Sequence, residues 1–274
     1  MKISIITVSF NSSETIRDTI ESVLNQTYTD IEYIIVDGNS TDNTVEIIKE
    51  YEPIFGSRMK WISEKDNGLY DGMNKGIKMA SGDVVGIINS DDFYHRNDII
   101  QYIASHFIED KNLQATFADI RFVNPDNLDK TVRYYASKRF KTWRFRFGFM
   151  PPHPSFFTYK NNYEKFGYYK TTYKIASDYE LLIRFLYRNK LRYKYLPVDV
   201  MKMRTGGIST ASFKSNMVLI DEDVKACKEN GIYTNSFFIL LKYVTKIWEL
   251  LLTKEGNKHN VKPLIKKSLH HKLL

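Results

Sequence analysis

Over the first 110 residues, short apolar runs alternate with amphipathic stretches, and few folds accommodate that order. Residues 3–9 form a run rich in β-branched side chains. Asn11 follows, with Glu14 three positions on and Ile16, Ile20, Val23 and Leu24 at helical spacing, the pattern of a capped helix. Residues 31–36 read as a second strand, and Ser40-Thr41-Asp42 opens a helix bearing Val45, Ile48 and Tyr51. Residues 59–63 give a third strand, with Leu69, Met73, Ile77 and Ala80 on one face of the next helix. Residues 84–88 and 98–107 continue as strand and helix. Strict alternation predicts an α/β architecture with a mostly parallel central sheet, right-handed crossovers and helices on both faces.

In such sheets ligands bind beyond the carboxyl ends of the strands. The successive ends here carry Asn11, then Asp37, then Glu64 and Asp66, then Asp91 and Asp92. Two adjacent carboxylates after a buried strand repel each other unless a cation or a hydroxyl-rich ligand neutralises them. Mg2+ and Mn2+ on nucleotides are held this way, by one or two protein carboxylates plus substrate phosphates. For an isolated Asp-Asp the alternative is an Asx-turn with an N-cap; a shared rim with Asp37 favours the ligand. Asp37 stands beside Gly38, where backbone can approach a base or ribose. Capping by Ser40, Thr41 or Asp42 leaves Asp37 available. No G-x-G-x-x-G follows the strand and no G-x-x-x-x-G-K-[ST] occurs, which argues against a dinucleotide enzyme or a P-loop NTPase.

The second half is less regular. Residues 114–119 and 121–123 read as strands, and residues 133–147 interleave six Lys or Arg with aromatic side chains. Pro151, Pro152 and Pro154 around His153 force an extended segment. Asp178 begins a helix with Leu181, Leu182, Phe185 and Leu186 on its apolar side, and a further helix is expected over residues 213–229. The single cysteine, Cys227, excludes a disulfide framework and a multi-cysteine metal site.

Four segments in order resemble glycosyltransferase family 2: Thr7-Val8-Ser9-Phe10-Asn11; Val36-Asp37-Gly38-Asn39-Ser40-Thr41-Asp42; Glu64-Lys65-Asp66-Asn67-Gly68 with Asp71 and Asn74-Lys75-Gly76; and Asn89-Ser90-Asp91-Asp92. The likeness is tight over about the first 100 residues and looser to about residue 210. It implies the GT-A fold, a Rossmann-like domain for a nucleotide-diphosphate sugar, with a helical C-terminal extension. Residues 1–110 would then be the donor half, 111–210 the acceptor half of the same domain, and 211–274 the extension. The implied donor-binding set is Thr7, Ser9, Asn11, Asp37, Asp66, Asn74, Lys75, Asp91 and Arg204, with Asp37 at the nucleobase. The Asp pair stands where the family has its Asp-x-Asp motif, with Asp92 the stronger ligand for Mn2+ or Mg2+ and Asp91 toward the ribose or the metal.

By the same resemblance Asp178 is the general base that inverting transfer requires, since an acceptor hydroxyl loses its proton as it attacks the anomeric carbon. Glu180 is the neighbouring alternative. His153 is a candidate for the sugar or acceptor pocket, and the segment from Arg204 through Gly206-Gly207-Ile208-Ser209 resembles one that family members carry after the base. A helix-terminal acid, a structural His and a flexible turn are the plainer readings of these positions.

Charge distribution bears on the partners. Lys and Arg total 40 against 32 acids, a net +8, and from Phe237 onward eight Lys face two acids, so most of the excess sits at one end. Residues 236–252 are apolar but too short and too charged to span a bilayer, and fit an interfacial amphipathic helix instead. The basic aromatic stretch could stack on nucleic acid, but its charge is local and the acidic rim dominates, so its expected use is contact with a membrane surface or with the phosphates of a lipid-linked acceptor. The expected partners are therefore a nucleotide-sugar donor, a glycan or lipid-linked acceptor and a membrane surface met through the tail, with no nucleic acid. A first strand where a leader would stand predicts a cytoplasmic protein at the inner membrane face, adding one sugar at a time to a growing polysaccharide, the UDP-sugar being the favoured donor.

Overall fold

The computed structural model describes residues 1–206 and 213–243. Strands β1 (Ile3–Ser9), β2 (Ile31–Asp37), β3 (Met59–Ser63) and β4 (Val84–Ile87) alternate with helices α1 (Ile16–Leu24), α2 (Thr44–Phe55) and α3 (Leu69–Met79). Then come β5 (Phe93–Tyr94), α4 (Ile99–Glu109), β6 (Ala115–Asn124), β7 (Asn127–Tyr135), β8 (Phe157–Tyr159), α5 (Lys160–Phe166), α6 (Ser177–Leu182), β9 (Tyr193–Arg204) and α7 (Phe213–Glu229). A helix described over residues 236–243, here α8, follows.

The sheet runs β3-β2-β1-β4-β8-β6-β9-β5, with β7 added on β6. The first four strands are all parallel, and β8 enters antiparallel between β4 and β6. The α/β fold expected from the sequence is the fold observed. Alternation along each strand sends side chains to two cores. Ile3, Ile5, Tyr33 and Ile35 pack under α1, α2 and α4. Ile6, Val8, Ile34 and Val36 pack with α3, α6 and α7. Because Ser9 and Asp37 are register partners, the period of two puts both side chains on the same face.

Several local details depart from the expected pattern. Asn11 does not cap α1. Its φ is 48°, and its Oδ1 accepts from the Thr41 amide at 2.9 Å while its own amide donates to Ser40 Oγ at 2.8 Å. The polar residues thus join the β1–α1 and β2–α2 loops. Helix α2 starts at Thr44 rather than Ser40, because Asp42 accepts from both the Thr44 amide and its hydroxyl, at 3.0 and 2.5 Å. Leu69, expected to be buried, is exposed and Tyr70 takes the inward position. The two strands expected over residues 114–123 are one, since β6 pairs β9 along nearly its whole length. The basic aromatic stretch divides between β7 and a 3-10 turn, Thr142–Phe147.

Helix α3 approaches β1 without intervening side chains. A Cβ on Gly72 would meet Val8 Cγ1 at 2.6 Å, and one on Gly76 would overlap Ile6 Cγ2. Both neighbours are buried and β-branched, so neither can swing aside. Alanine in a helix is favoured over glycine by ~1 kcal/mol, whereas overpacking a filled core costs about 1–3 kcal/mol. Gly76→Ala is therefore expected to lower the urea midpoint despite the better propensity; an unchanged or raised midpoint would show that the helix can lift off the strand.

Candidate active site

The acidic rim is assembled by hydrogen bonds between the loops that leave β1, β2 and β4. Asp37 is fully buried. Its Oδ1 accepts from Ser9 Oγ at 3.0 Å and Ser40 Oγ at 2.5 Å, and its Oδ2 from the Ser40 amide at 2.9 Å and Ser63 Oγ at 2.7 Å. Far from being spare, the carboxylate is saturated and fastens the ends of β1, β2 and β3 together. Thr7 is also fully buried, 3.0 Å from the Tyr33 hydroxyl, and so faces the core rather than the rim. Asp66 accepts from the Gly68 amide at 2.9 Å, and its Oδ2 would lie 2.9 Å from a Cβ on Gly38. The lack of a side chain at Gly38 is what admits Asp66 to the Asp37 corner. Lys75 is held by Glu64 at 2.8 Å.

Across the β1–α1 loop lies the Asp pair. Ser12 Oγ meets Ser90 Oγ at 2.8 Å, Thr15 Oγ1 donates to the Ser90 carbonyl at 2.9 Å, and Thr19 Oγ1 to the Asp92 carbonyl at 2.7 Å. Asp92 is 1% exposed. Its Oδ2 accepts from Asn89 Nδ2 at 3.0 Å, but its Oδ1 is buried with no hydrogen-bond partner among the described residues. Burial, then the neighbouring charge of Asp91, pushes the Asp92 carboxyl well above the ordinary range, and burial raises Asp91 as well. Arg204 donates to the Asp91 carbonyl at 2.5 Å and to the Asp18 carboxylate, so it braces the loop from behind. Gly207, Ile208 and Ser209, which complete its segment, lie outside the described residues.

A buried, unpartnered carboxylate oxygen beside a second carboxylate fits a divalent cation, which would satisfy the one and neutralise both. Among the described residues no three His, Cys, Asp or Glu side chains cluster as a metal site. Among the described residues the Asp pair is what is offered to a cation, and phosphate oxygens and water would complete its shell.

The expected base lies at the start of α6. Asp178 Oδ1 accepts from the Tyr179 amide at 2.9 Å, and the Tyr70 hydroxyl, which donates to the Ile175 carbonyl, lies 3.3 Å from the same oxygen. Burial pushes its carboxyl up to about 6, against that amide and that hydroxyl, which pull it down. A cleft of about 250 Å³ opens between the turn at Asn67–Tyr70 and residues 171–174. Asp178 thus stands behind the Tyr70 wall of this cleft, joined to the Asp66 turn by the first residues of α3.

Three further expected site residues, besides Thr7, are placed elsewhere. Glu180 is fully buried and held by Arg184 and Lys170, each at 2.9 Å, with Asn230 at 3.3 Å. Burial pushes its carboxyl up, and Arg184 and Lys170 more than offset that, holding it below the ordinary value. Asn74 spends both ends of its amide on the Tyr169 backbone, at 2.9 Å each. His153 is buried, 2.5 Å from the Tyr169 hydroxyl, and burial lowers it to about 4, which keeps the ring neutral. All three lock the second core.

Tyr70, Glu222 and Tyr169 were not legible as site residues. Tyr70 stands off the α3 face that the spacing of Leu69, Met73 and Ile77 picks out, but its hydroxyl reaches Asp178. Glu222 of α7 accepts from the amides of Lys174, Ile175 and Ala176, at 2.7, 2.9 and 2.9 Å, and so caps the segment that leads into α6. Tyr169 links Asn74 to His153. No spacing signals such contacts, because they join residues far apart in sequence.

The profile described as glycosyl transferase family 2 matches residues 4–191. The chain belongs to this family. An uncharacterized glycosyltransferase of Mycobacterium tuberculosis is 32% identical over 184 residues, covering 66% of this chain and 68% of the relative. A PGL/p-HBAD biosynthesis glycosyltransferase of Mycobacterium bovis is 26% identical over 207 residues, covering 75% and 78%. Among solved structures, Staphylococcus aureus TarS 1-349 with UDP-GlcNAc gives a TM-score of 0.62 at 19% identity, covering 82% of this chain and 66% of that one. The chain thus spans less than two thirds of that TarS fragment. The mannosyltransferase PcManGT of Pyrobaculum calidifontis, with GDP-Man and Mn2+, gives 0.63 at 15% identity, covering 93% and 73%. At these identities the structures show a shared fold.

Removing one partner of a buried ion network leaves the other charge uncompensated, at a cost of about 3–5 kcal/mol. Glu180→Ala is expected to lose stability on that scale in urea denaturation, and Glu180→Gln less, because it still accepts a hydrogen bond. A loss below about 1 kcal/mol for Glu180→Ala would mean that Glu180 is not a structural hub.

Proposed function

We propose that this chain is an inverting, metal-dependent glycosyltransferase. It would move one sugar from a nucleotide-diphosphate sugar, the UDP-sugar favoured, to a hydroxyl of a glycan or lipid-linked acceptor in polysaccharide biosynthesis. The observation that carries the reading is the unpartnered Oδ1 of buried Asp92 beside Asp91. The mycobacterial PGL/p-HBAD relative and the TarS and PcManGT neighbours, described with UDP-GlcNAc and with GDP-Man and Mn2+, support it.

In this reading Asp92 and Asp91 would hold Mn2+ or Mg2+, which when bound would supply neutralising charge to the departing diphosphate. Asp37 shapes the nucleobase corner by fixing Ser9, Ser40 and Ser63, and a base that reached its carboxylate would displace one of those hydroxyls. Asp66, admitted by Gly38, faces the same corner, and Asn11 holds the loop above it. Arg204 keeps the Asp91 carbonyl in place. Asp178 takes the proton of the acceptor hydroxyl, and its partial ionisation near neutrality suits a base that must be charged to act yet accept a proton readily. Residues 1–110 serve the donor, 111–210 the acceptor, and the C-terminal extension meets the inner face of the membrane peripherally.

Two substitutions separate binding from chemistry. Asp92→Ala is expected to abolish the Mn2+-dependent rise in melting temperature given by a UDP-sugar. Asp178→Asn should keep that rise and lower kcat by roughly a hundred- to ten-thousandfold. Retained turnover in Asp178→Asn would remove the base assignment.

The ionised form of Asp178 is the active one. Lowering the pH through about 6 should therefore reduce kcat, with a plateau above it. Tyr70→Phe removes a hydroxyl whose approach favours the charged form, so its kcat profile should move to higher pH. A profile that rises toward acid, or an unmoved midpoint in Tyr70→Phe, would contradict the roles of Asp178 and Tyr70.

A further inference from the structure

Three segments far apart in sequence place large apolar side chains on one outer face. Trp143 is 59% exposed, Tyr233 70% and Phe237 67%, with Leu240 and Leu241 beside them on α8. The patch is continuous. Trp143 packs edge-on against Phe147 with ring centroids 6.0 Å apart, Phe147 lies 5.4 Å from Phe238, and Tyr187 joins Trp143 and Tyr233 around a hollow of about 160 Å³.

The patch is also held rigidly. Thr234 Oγ1 donates to the Arg146 carbonyl at 2.5 Å, and Arg146 Nη2 returns a hydrogen bond to the Tyr233 carbonyl at 3.3 Å. Phe145 points inward, fully buried, and its carbonyl accepts from Tyr179 next to the expected base. The same turn therefore presents Trp143 outward and braces the Asp178 helix inward.

The sequence flanking the turn and Tyr187 is basic. No acidic residue occurs between Asp129 and Glu164. Lys138, Arg139, Lys141, Arg188 and Lys190 are exposed, and none lies within ion-pair distance of a carboxylate among the described residues. The sequence after residue 243 adds seven Lys and two acids. Exposed Trp, Tyr and Phe suit the interface of a bilayer, and unpaired cations beside them suit anionic headgroups. A second copy of the chain would bring these same cations face to face. Leu240 and Leu241 have nothing to offer a nucleobase but suit acyl chains.

We propose that the face formed by the 142–147 turn, Tyr187 and residues 232–241 docks on an anionic phospholipid bilayer. It rests on the reading of this chain as a transferase for a membrane-borne acceptor, and it adds a folded docking surface to the tail. Through Phe145 and Tyr179 the docked face sits directly behind the Asp178 helix, which sets the acceptor side of the cleft near the lipid.

The chain contains three Trp, at 61, 143 and 248, so the full-length W61F/W248F variant reports on Trp143 alone. With vesicles of acyl-brominated phosphatidylcholine containing phosphatidylglycerol, Trp143 fluorescence is expected to be quenched, and without phosphatidylglycerol it should not be. In the otherwise native chain, Trp143→Ala with Phe237→Ser should weaken co-sedimentation with the phosphatidylglycerol vesicles by on the order of tenfold. Its melting temperature and its release of nucleotide from the donor with a soluble acceptor should be unchanged.

Sedimentation with Trp143 unquenched would assign binding to the tail and overturn the proposal. So would a loss, in the double variant, of a dimer seen by light scattering or of salt-sensitive oligonucleotide binding. Failure of the transferase reading is seen separately, as absence of an Mn2+-dependent donor shift without vesicles.

Discussion

Helix α3 lies against β1 closely enough that Gly72 and Gly76 leave no space for a Cβ, and that approach sets the reach of every side chain α3 sends to the second half. Asn74 arrives where it can hold both the amide and the carbonyl of Tyr169, and Tyr70 where its hydroxyl touches Asp178. Stacking of Tyr70 on Tyr169, with centroids 5.8 Å apart, closes the arrangement. A helix set back by the width of a methyl group would lose the Asn74 clamp outright, since hydrogen bonds weaken steeply beyond their normal distance. The donor edge and the expected base are thus positioned by one backbone contact.

Buried carboxylates in this chain fall into two physical kinds. Asp37, Glu180 and Glu32 are fully supplied with donors: hydroxyls and an amide at Asp37, Arg184 and Lys170 at Glu180, and Ser4, Ser81 and Lys60 at Glu32. Each has its oxygens supplied from within the fold and needs nothing from outside. Asp92 differs. One oxygen has a partner and the other has none, and a second carboxylate stands next to it. Among the described residues nothing supplies that second oxygen, and a proton or a cation would. The distinction between a saturated and an unsaturated carboxylate separates scaffold from site more sharply than exposure does, because Asp37 and Asp92 are equally buried.

The parallel half was legible because each signal there is local. Periodicity fixes which face of a strand is apolar, and a polar residue just beyond a strand end marks the rim on which Asp37, Asp66 and the Asp pair stand. What escaped was long-range. Nothing adjacent to Asp37 shows that Ser63, 26 positions away, will fill its second oxygen, and so the residue reads as spare. Glu180 reads as an alternative to Asp178 because both open the same helix. The helical turn nevertheless sends it inward to Arg184, and that direction depends on packing against α5 and α7. His153 follows the same logic: a His between prolines suggests a loop, and only the Tyr169 hydroxyl explains its burial.

The C-terminal elements bear on the site more than their position in sequence suggests. Helix α7 supplies Glu222, which collects the three amides ahead of Asp178, and Asn230, which reaches Glu180. It also carries Asp223, buried and paired with Lys242 of α8 at 2.5 Å. Burial pushes Asp223 up to about 6, and the Lys242 charge pulls both Asp223 and Asp178 down. Lys242 therefore acts on two carboxyls at once. At Asp178 its charge adds to the Tyr179 amide and the Tyr70 hydroxyl, which oppose burial more strongly. Because Phe237, Leu240 and Leu241 lie on the outer side of the same short helix, the element that faces outward with apolar side chains faces inward with that charge. Its placement against α7 is part of what sets the basicity at Asp178.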